Sequence, residues 1–426
     1  MKNFGSKKLM VFIILAASVA LAYQLPYLRY TFYDQMMAAY NIGDVEIGLI
    51  ATAVSLTNTI CYPIGGWFAS RFSMRSLLLV TLVSFVILSV AFAFTTDYFM
   101  LLGIHILFGF FGIATLWSAY LTGVRNLGDE ASQSTLFGTN EATRGVIQTL
   151  CGFAFLAVFN IAATPLLGFR NVMLLGAAIS GLFLVLAFIF LPKTPKEDTT
   201  VSDDEEKFSV MDVLKNKGVW ITILIVMCAY ASWTLGNGYL TTYTVRGLGV
   251  DETLASSIGM VRTYVIVFVA GFIGGWVMDK FTFKGNAFLL LFGLTIALLA
   301  GIMLTDKVIP VCIGLTLVLA FIVNIMKCTY WSTMGQAGIP VKMTAMATGI
   351  ISLIAFIPDF VLPPICGSLI ESADAAGNII EGFNAIFLIC AAFSAVGLVA
   401  AYILKKQTKS LNAATASEVA LEGEEL

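Results

Sequence analysis

The sequence predicts an all-α integral membrane protein: twelve transmembrane helices forming two six-helix bundles in a 6+6 pseudo-two-fold repeat. Three observations predict it. First, 59% of the 426 residues are hydrophobic and 12% are charged, where a soluble domain carries roughly 25% charged residues. Second, apolar runs of about 20 residues recur along the whole chain, each long enough for a hydrocarbon core of about 30 Å. Third, Gly65-Gly66-Trp67-Phe68-Ala69-Ser70-Arg71 is echoed by Gly274-Gly275-Trp276-Val277-Met278-Asp279-Lys280, with Gly66 and Gly275 separated by 209 residues. Lipid leaves free backbone groups unsatisfied, so the runs must be helices.

The first run, 9–32, follows Lys7-Lys8 and contains Ala20-Leu21-Ala22. On its own it would pass for a signal peptide, but the apolar pattern continues throughout, so it is read as an uncleaved first span. The second run, 46–70, ends at the basic corner Arg71–Arg75, and the third covers 76–95. Runs 98–122, 134–162 and 168–192 complete an N-terminal bundle, 1–192. Residues 193–217, rich in Asp, Glu, Lys and Thr, read as a solvated cytoplasmic linker. Runs 218–243, 254–278, 285–304, 308–334, 343–372 and 380–404 form a C-terminal bundle, 218–404. The polar tail 405–426 is expected to be disordered.

Lys and Arg set the orientation. With both termini inside, the outer loops hold only Arg170, Arg246 and Lys307, a strong positive-inside bias. The expected location is the inner (plasma) membrane with both termini cytoplasmic. All seven cysteines fall in apolar runs without a CxxC or Cys/His cluster, which reads as packing rather than redox or metal chemistry. No cofactor or metal is expected. The net charge of −2 and the lack of basic, aromatic-studded patches give no reason to expect nucleic acid.

The duplication extends past the glycine corner. Ala22-Tyr23 matches Ala229-Tyr230, aligning the first and seventh helices, and Leu116-Trp117-Ser118 matches Tyr330-Trp331-Ser332, aligning the fourth and tenth. Offsets near half the chain at three places fit a parallel duplication.

These residues resemble the major facilitator superfamily over essentially the whole chain. The family's loop motif between helices two and three runs roughly G-x-x-x-D-R-x-G-R-R. The first copy aligns from Gly66 to Arg75, with Ser70 at the acidic position; the second keeps Asp279, Lys280 and Lys284. The resemblance implies a latch at the cytoplasmic face, with Arg71, Arg75, Asp279, Lys280 and Lys284 as gating residues. The fourth-helix motif R-x-x-x-G is met by His105 to Gly109, with histidine for arginine. The Gly-Pro motif of drug exporters is missing from the fifth helix. Tyr27-Leu28-Arg29-Tyr30 is similar to the substrate-contacting segment of the organophosphate and organic-anion branches. Phosphate exchangers add an arginine in helix seven, where this chain has Gly236, so the resemblance implies a carboxylate, sugar acid or sugar.

Charges inside the spans are costly and mark function by default. They are Arg29, Glu141, Arg144, Arg262, Lys327 and Asp359, with Asp34 at a helix end. Helices three, six, nine and twelve carry none of them, as expected of lipid-facing helices in a facilitator-like bundle. Glu141, Arg144, Gln148 and Cys151 form one stripe on helix five: either a self-neutralising Glu–Arg pair, or a substrate cation with an exchangeable partner. Asn324, Lys327, Trp331 and Met334 form another stripe on helix ten. Asp359 follows Pro358 and is a protonatable coupling site, a counter-ion to Lys327, or one half of a fixed salt bridge; Glu141 is the second coupling residue. Tyr230, Trp233 and Asn237 share a face of helix seven, and Tyr23, Tyr27, Tyr30 and Asp34 share one of helix one from which Arg29 points away; these faces serve packing or a planar ligand. Arg262 snorkels or latches an outer gate. His105 reads as packing, or as a group titrating near neutral pH.

The spans thus hold more cations than acids, which favours an anionic substrate. Together these readings predict a monomeric secondary transporter working by alternating access. Arg29, Arg144, Lys327, Trp331, Trp233, Asn237, Tyr27 and Gln148 contact the substrate, and protons are the coupling ion. The rival within transport is a proton-driven exporter of multiple drugs or hydrophobic compounds. An enzyme is not expected, since no metal spacing, phosphate loop or serine–base constellation occurs.

Overall fold

The computed structural model describes residues 5–125, 127, 133–192, 210–340 and 343–424. The described residues are helical throughout apart from short connections. The chain opens with α1 (Ser6–Ala22) and a 3-10 segment, Leu25–Tyr30. The predicted first span is therefore broken. Pro26 stands at the start of the 3-10 segment; it donates no N–H and restricts the residue before it, so the α-helix cannot run through.

α2 (Tyr33–Tyr40) is a short connecting helix ended by Asn41 in the left-handed region, φ 51°. α3 (Asp44–Arg71) starts where the Glu46 carboxylate accepts the Gly43 N–H at 2.9 Å. α4 (Met74–Phe94) is capped by Ser73, whose hydroxyl accepts the Ser76 N–H, so the basic corner is a helix start as well as a turn. α5 (Tyr98–Phe110) passes through a π-helical segment, Phe111–Trp117, into α6 (Ser118–Arg125). α7 (Gln133–Asn160) and α8 (Pro165–Phe190) follow.

After α9 (Val210–Lys215), α10 (Lys217–Gly238) leads through the single turn α11 (Leu240–Thr242) into a π segment, Tyr243–Gly247. α12 (Glu252–Met260), a π segment Val261–Val265 and α13 (Ile266–Asp279) form the next span. α14 (Lys284–Leu304) and α15 (Ile309–Thr329) precede a 3-10 turn, Tyr330–Thr333. α16 (Thr344–Ala355) and α17 (Ile357–Ala375) meet at Phe356, and α18 (Ile379–Glu424) ends the described chain.

Eleven helices among the described residues are long and apolar enough to cross a membrane. α1, at 17 residues, becomes long enough only with its 3-10 extension. The tail differs from expectation: α18 continues through Glu424. Its run Leu404 to Leu421 has no Gly or Pro and is rich in Ala, Lys and Leu, all strong helix formers. Gln407 and Thr408 also donate to the Ala337 and Gln336 carbonyls, which ties the first turns of the extension to the 334–340 connection.

Two compact units divide the chain: Met1–Thr200 with Thr241–Phe268 and Phe360–Ile379, and Val201–Leu240 with Val269–Asp359 and Ile380–Leu426. In the first, α4 packs on α8 and α1 on α7, around Phe85, Phe92, Phe155 and Phe169, all at most 1% exposed. In the same unit α3 and α17 approach through two glycine notches. A Cβ on Gly48 would strike the Pro363 backbone, and one on Gly367 would strike the Asp44 backbone. In the second unit α10 packs on α15 and α16, and α14 on α15.

Candidate functional site

In the first unit, the break after α1 presents a column of tyrosines. Tyr23 stacks on Tyr27 with ring centres 6.3 Å apart, and Tyr27 on Tyr30 at 5.9 Å. Asn58 donates to the Tyr27 hydroxyl at 2.8 Å, and Trp117 stands edge-on to Tyr23 and Tyr62. The Arg144 guanidinium lies 5.8 Å from the Tyr23 ring centre, and that of Arg29, itself 3% exposed, 4.5 Å from Tyr30. Arg29 thus leans on the column it was predicted to turn away from.

Gln148 donates to the Ala20 carbonyl at 3.4 Å, and Gln24 donates to the Gln148 carbonyl at 3.0 Å. Where α1 breaks, carbonyls lose their helical donors; Gln148 satisfies one of them. The Glu141 side chain lies outside the described residues.

In the second unit, the Lys327 ammonium sits 3.1 Å from the centre of the Trp233 indole. The Trp233 indole N–H donates to Asn324 Oδ1 at 2.8 Å, and Asn324 Nδ2 donates to the Ala320 carbonyl. The predicted stripe had set Lys327 beside Trp331; the indole over Lys327 comes instead from α10. The 3-10 turn starting at Tyr330 changes the angular step between 327 and 331, and Trp331 stacks edge-on with Tyr330. Asn237 Nδ2 donates to the Trp233 carbonyl. Asp359 is buried, lies in the first turn of α17 and accepts from Thr234 at 3.3 Å. Lys327 lies in the last turn of α15. Each charge therefore has the sign its helix end favours.

The loop bases act locally. Arg75 donates to the Leu191 and Phe188 carbonyls at 3.2 and 2.7 Å, closing the end of α8. Lys284, its repeat partner, donates to the Met278 carbonyl near the end of α13 at 2.7 Å. Arg71 lies over the Trp67 ring, and Lys280 is exposed. The side chains of Ser70 and Asp279 lie outside the described residues. His105 is 2% exposed; its Nδ1 donates to the Leu101 carbonyl at 2.8 Å and its ring packs on Phe92 and Phe108.

A third cluster escaped sequence reading. Within the first unit, Arg246 Nη1 donates to both oxygens of Asp44 at 2.8 and 3.0 Å, and Nη2 to Asp374 at 2.8 Å. Its Nε is 3.9 Å from Asp34 Oδ1, which accepts from the Thr242 hydroxyl at 2.8 Å. Burial raises the Asp34 carboxyl to about 6; Thr242 and Arg246 offset this in part, while Asp44 and Glu252 add to it. Beside the cluster, Arg262 is fully buried and donates to Thr241, which donates to the Tyr30 carbonyl. Gln35 donates to Ser256, and Ser256 to the Thr31 carbonyl. Arg246 and Arg262 both lie in π segments, an irregularity frequent at functional sites. The available signal was the scarcity of basic residues among the predicted outer loops.

The profile of the Major Facilitator Superfamily matches residues 9–363. The chain belongs to that superfamily. It is accordingly a multi-pass membrane transporter rather than an enzyme. It is similar to the inner membrane protein YihN of Escherichia coli strain K12, with 26% identity over 409 residues covering 94% of this chain and 96% of that protein. Its fold is similar to a bacterial homologue of the human lysosomal transporter Spinster, solved inward-facing and unoccupied: TM-score 0.74, 14% identity, 96% and 99% of the two chains covered. It is also similar to the D-xylose–proton symporter, with TM-score 0.72, 14% identity and coverage of 95% and 99%. At that identity the likeness is one of fold.

Proposed function

We propose that this chain moves a small organic anion, a carboxylate or sugar acid, or a sugar, by proton-coupled alternating access in the inner membrane. Both termini are cytoplasmic and the 1–192 and 218–404 bundles are the moving halves. In this reading the Arg246 end faces outside. The observation that carries the reading is the seating of Lys327 on the Trp233 face, with Arg144 and Arg29 set likewise against Tyr23 and Tyr30. A ring face holds a desolvated cation with about 2 kcal/mol. The same guanidinium and ammonium groups can donate charge-assisted hydrogen bonds to a solute carboxylate. Stacked tyrosines and the Asn58, Asn324, Asn237 and Gln148 amides supply the flat faces and donors that a polar, ring-shaped solute needs.

Arg29, Arg144 and Lys327 are assigned to the substrate anion, with Tyr27, Trp233 and Trp331 shaping its faces; Asp359 and Glu141 are the coupling carboxylates. The test is uptake into proteoliposomes from a panel of sugars, sugar acids and small carboxylates, with and without a pH gradient. Accumulation of a carboxylate driven by the gradient is expected, and Asp359→Asn should abolish it while leaving counterflow exchange. Gradient-independent uptake, or unchanged uphill uptake in that variant, overturns the coupling assignment.

A further inference from the structure

The Arg246 cluster has more acid than base. One guanidinium meets three carboxylates, and its hydrogen bonds to them go to Asp44 and Asp374, leaving Asp34 only the long 3.9 Å approach of Nε. Asp34 Oδ1 is satisfied by Thr242, but its buried Oδ2 has no hydrogen-bond partner among the described residues. A buried carboxylate oxygen without a donor is costly as an anion and comfortable as a hydroxyl. The charged groups around it are Arg246 from the π segment, Asp44 from α3, Glu252 from α12 and, through Arg246, Asp374 from α17.

We propose that Asp34 is a proton-binding site of the outer gate, and that taking up a proton from the outside medium at Oδ2 holds the Arg246 cluster closed. The proposal rests on the transporter reading above for which side is outside. The proton comes from bulk water and returns to the same side when the gate opens and Asp34 hydrates. Asp34 therefore sets the gate equilibrium and adds nothing to the proton-to-substrate stoichiometry, which is assigned to other carboxylates.

The sign follows from linkage. In the closed state the carboxyl is raised to about 6, whereas once hydrated it returns to about 3.9. The closed state thus binds more protons between those values, so closure strengthens as pH falls through 6. From pH 7.5 to 4.5 the closed-to-open ratio should rise roughly 25-fold.

The test uses the full chain in nanodiscs with spin labels on Ile161→Cys and Lys307→Cys, both exposed, in the α7–α8 and α14–α15 connections. Cys328, the exposed native thiol, is replaced by serine. The expected result is a closed population that grows on acidification, loses most of that response in Asp34→Asn, where only the buried Asp44 carboxyl, itself raised by burial, is left to titrate, and keeps its response in Asp374→Asn. An undiminished response in Asp34→Asn, or closure favoured by high pH, overturns the proposal. Should Asp34→Asn not fold, Thr242→Val decides. Removing the hydroxyl that holds Asp34 down must move the midpoint to higher pH, and an unmoved midpoint also overturns it. None of these readouts needs a transported substrate, so they stand or fall apart from the substrate assignment.

Discussion

Arg246 bonds carboxylates, and Lys327 lies over an indole. Arg246 is 16% exposed and clamped to Asp44, which is 3% exposed. Removing one partner of a fully buried pair costs about 3–5 kcal/mol; with Arg246 partly solvated, about 2–3 kcal/mol is expected for Arg246→Gln. The loss falls on the closed gate, so the spin-label distances described above should broaden toward open at neutral pH. Lys327 instead rests on an indole. Lys327→Met keeps the stem and its packing but removes the charge, so it should abolish carboxylate uptake while leaving Tm within a few degrees. Equal loss of Tm and uptake would make Lys327 a structural residue. The Lys327–Trp233 pairing was only half legible: each residue stood out, but pairing residues 94 positions apart needs helix contacts that a stripe on one helix does not contain.

At the scale of elements, hydropathy placed nearly every span to within a few residues, because lipid demands long uninterrupted apolar helices. It missed the breaks at Tyr23–Gln24 and Phe356 and the π segments, which keep the same residue types and change only the backbone hydrogen-bond step. Pro26 and Pro358 stand at two of these interruptions, but the spans 9–32 and 343–372 were drawn straight through them. The helical tail was missed because polarity was read as disorder, while the Ala, Leu and Lys content favoured helix. The glycine notches make a sharper prediction. A Cβ on Gly48 would come within 2.5 Å of the Pro363 carbonyl oxygen, so Gly48→Ala should push α3 and α17 apart and weaken closure of the Arg246 end. Spin-label distances that match the unsubstituted protein across pH 4.5–7.5 would show that the notch is not needed.

For the whole molecule, the duplicated frame was legible from three short matches, and the family follows from a profile spanning 9–363. The gate was not, because Asp44 and its near neighbour Asp34 lie some 200 residues before Arg246 and Asp374 lies 128 after it, and only the fold gathers them on one arginine. Access is the property that integrates these contacts. A membrane-impermeant thiol reagent supplied from the Arg246 side should label Tyr27→Cys slowly in the unsubstituted gate. The rate should rise more than about tenfold with Arg246→Gln, as a 2–3 kcal/mol shift in a two-state equilibrium requires. Equal rates would mean that this end does not control entry.

The π segment Tyr243–Gly247 gives the gate a dependence on chain length. A π turn holds one residue more than the α turn it replaces, so deleting Thr244 would return the stretch to an ordinary α-helix with no gap in its backbone bonding. Everything beyond would then rotate by about 100°, and Arg246 would leave its carboxylates with its own identity unchanged. The lock is therefore written partly as a count of residues. Two chains with the same arginine and the same three aspartates could differ in whether this end closes, through a single inserted position that no comparison of side chains would flag.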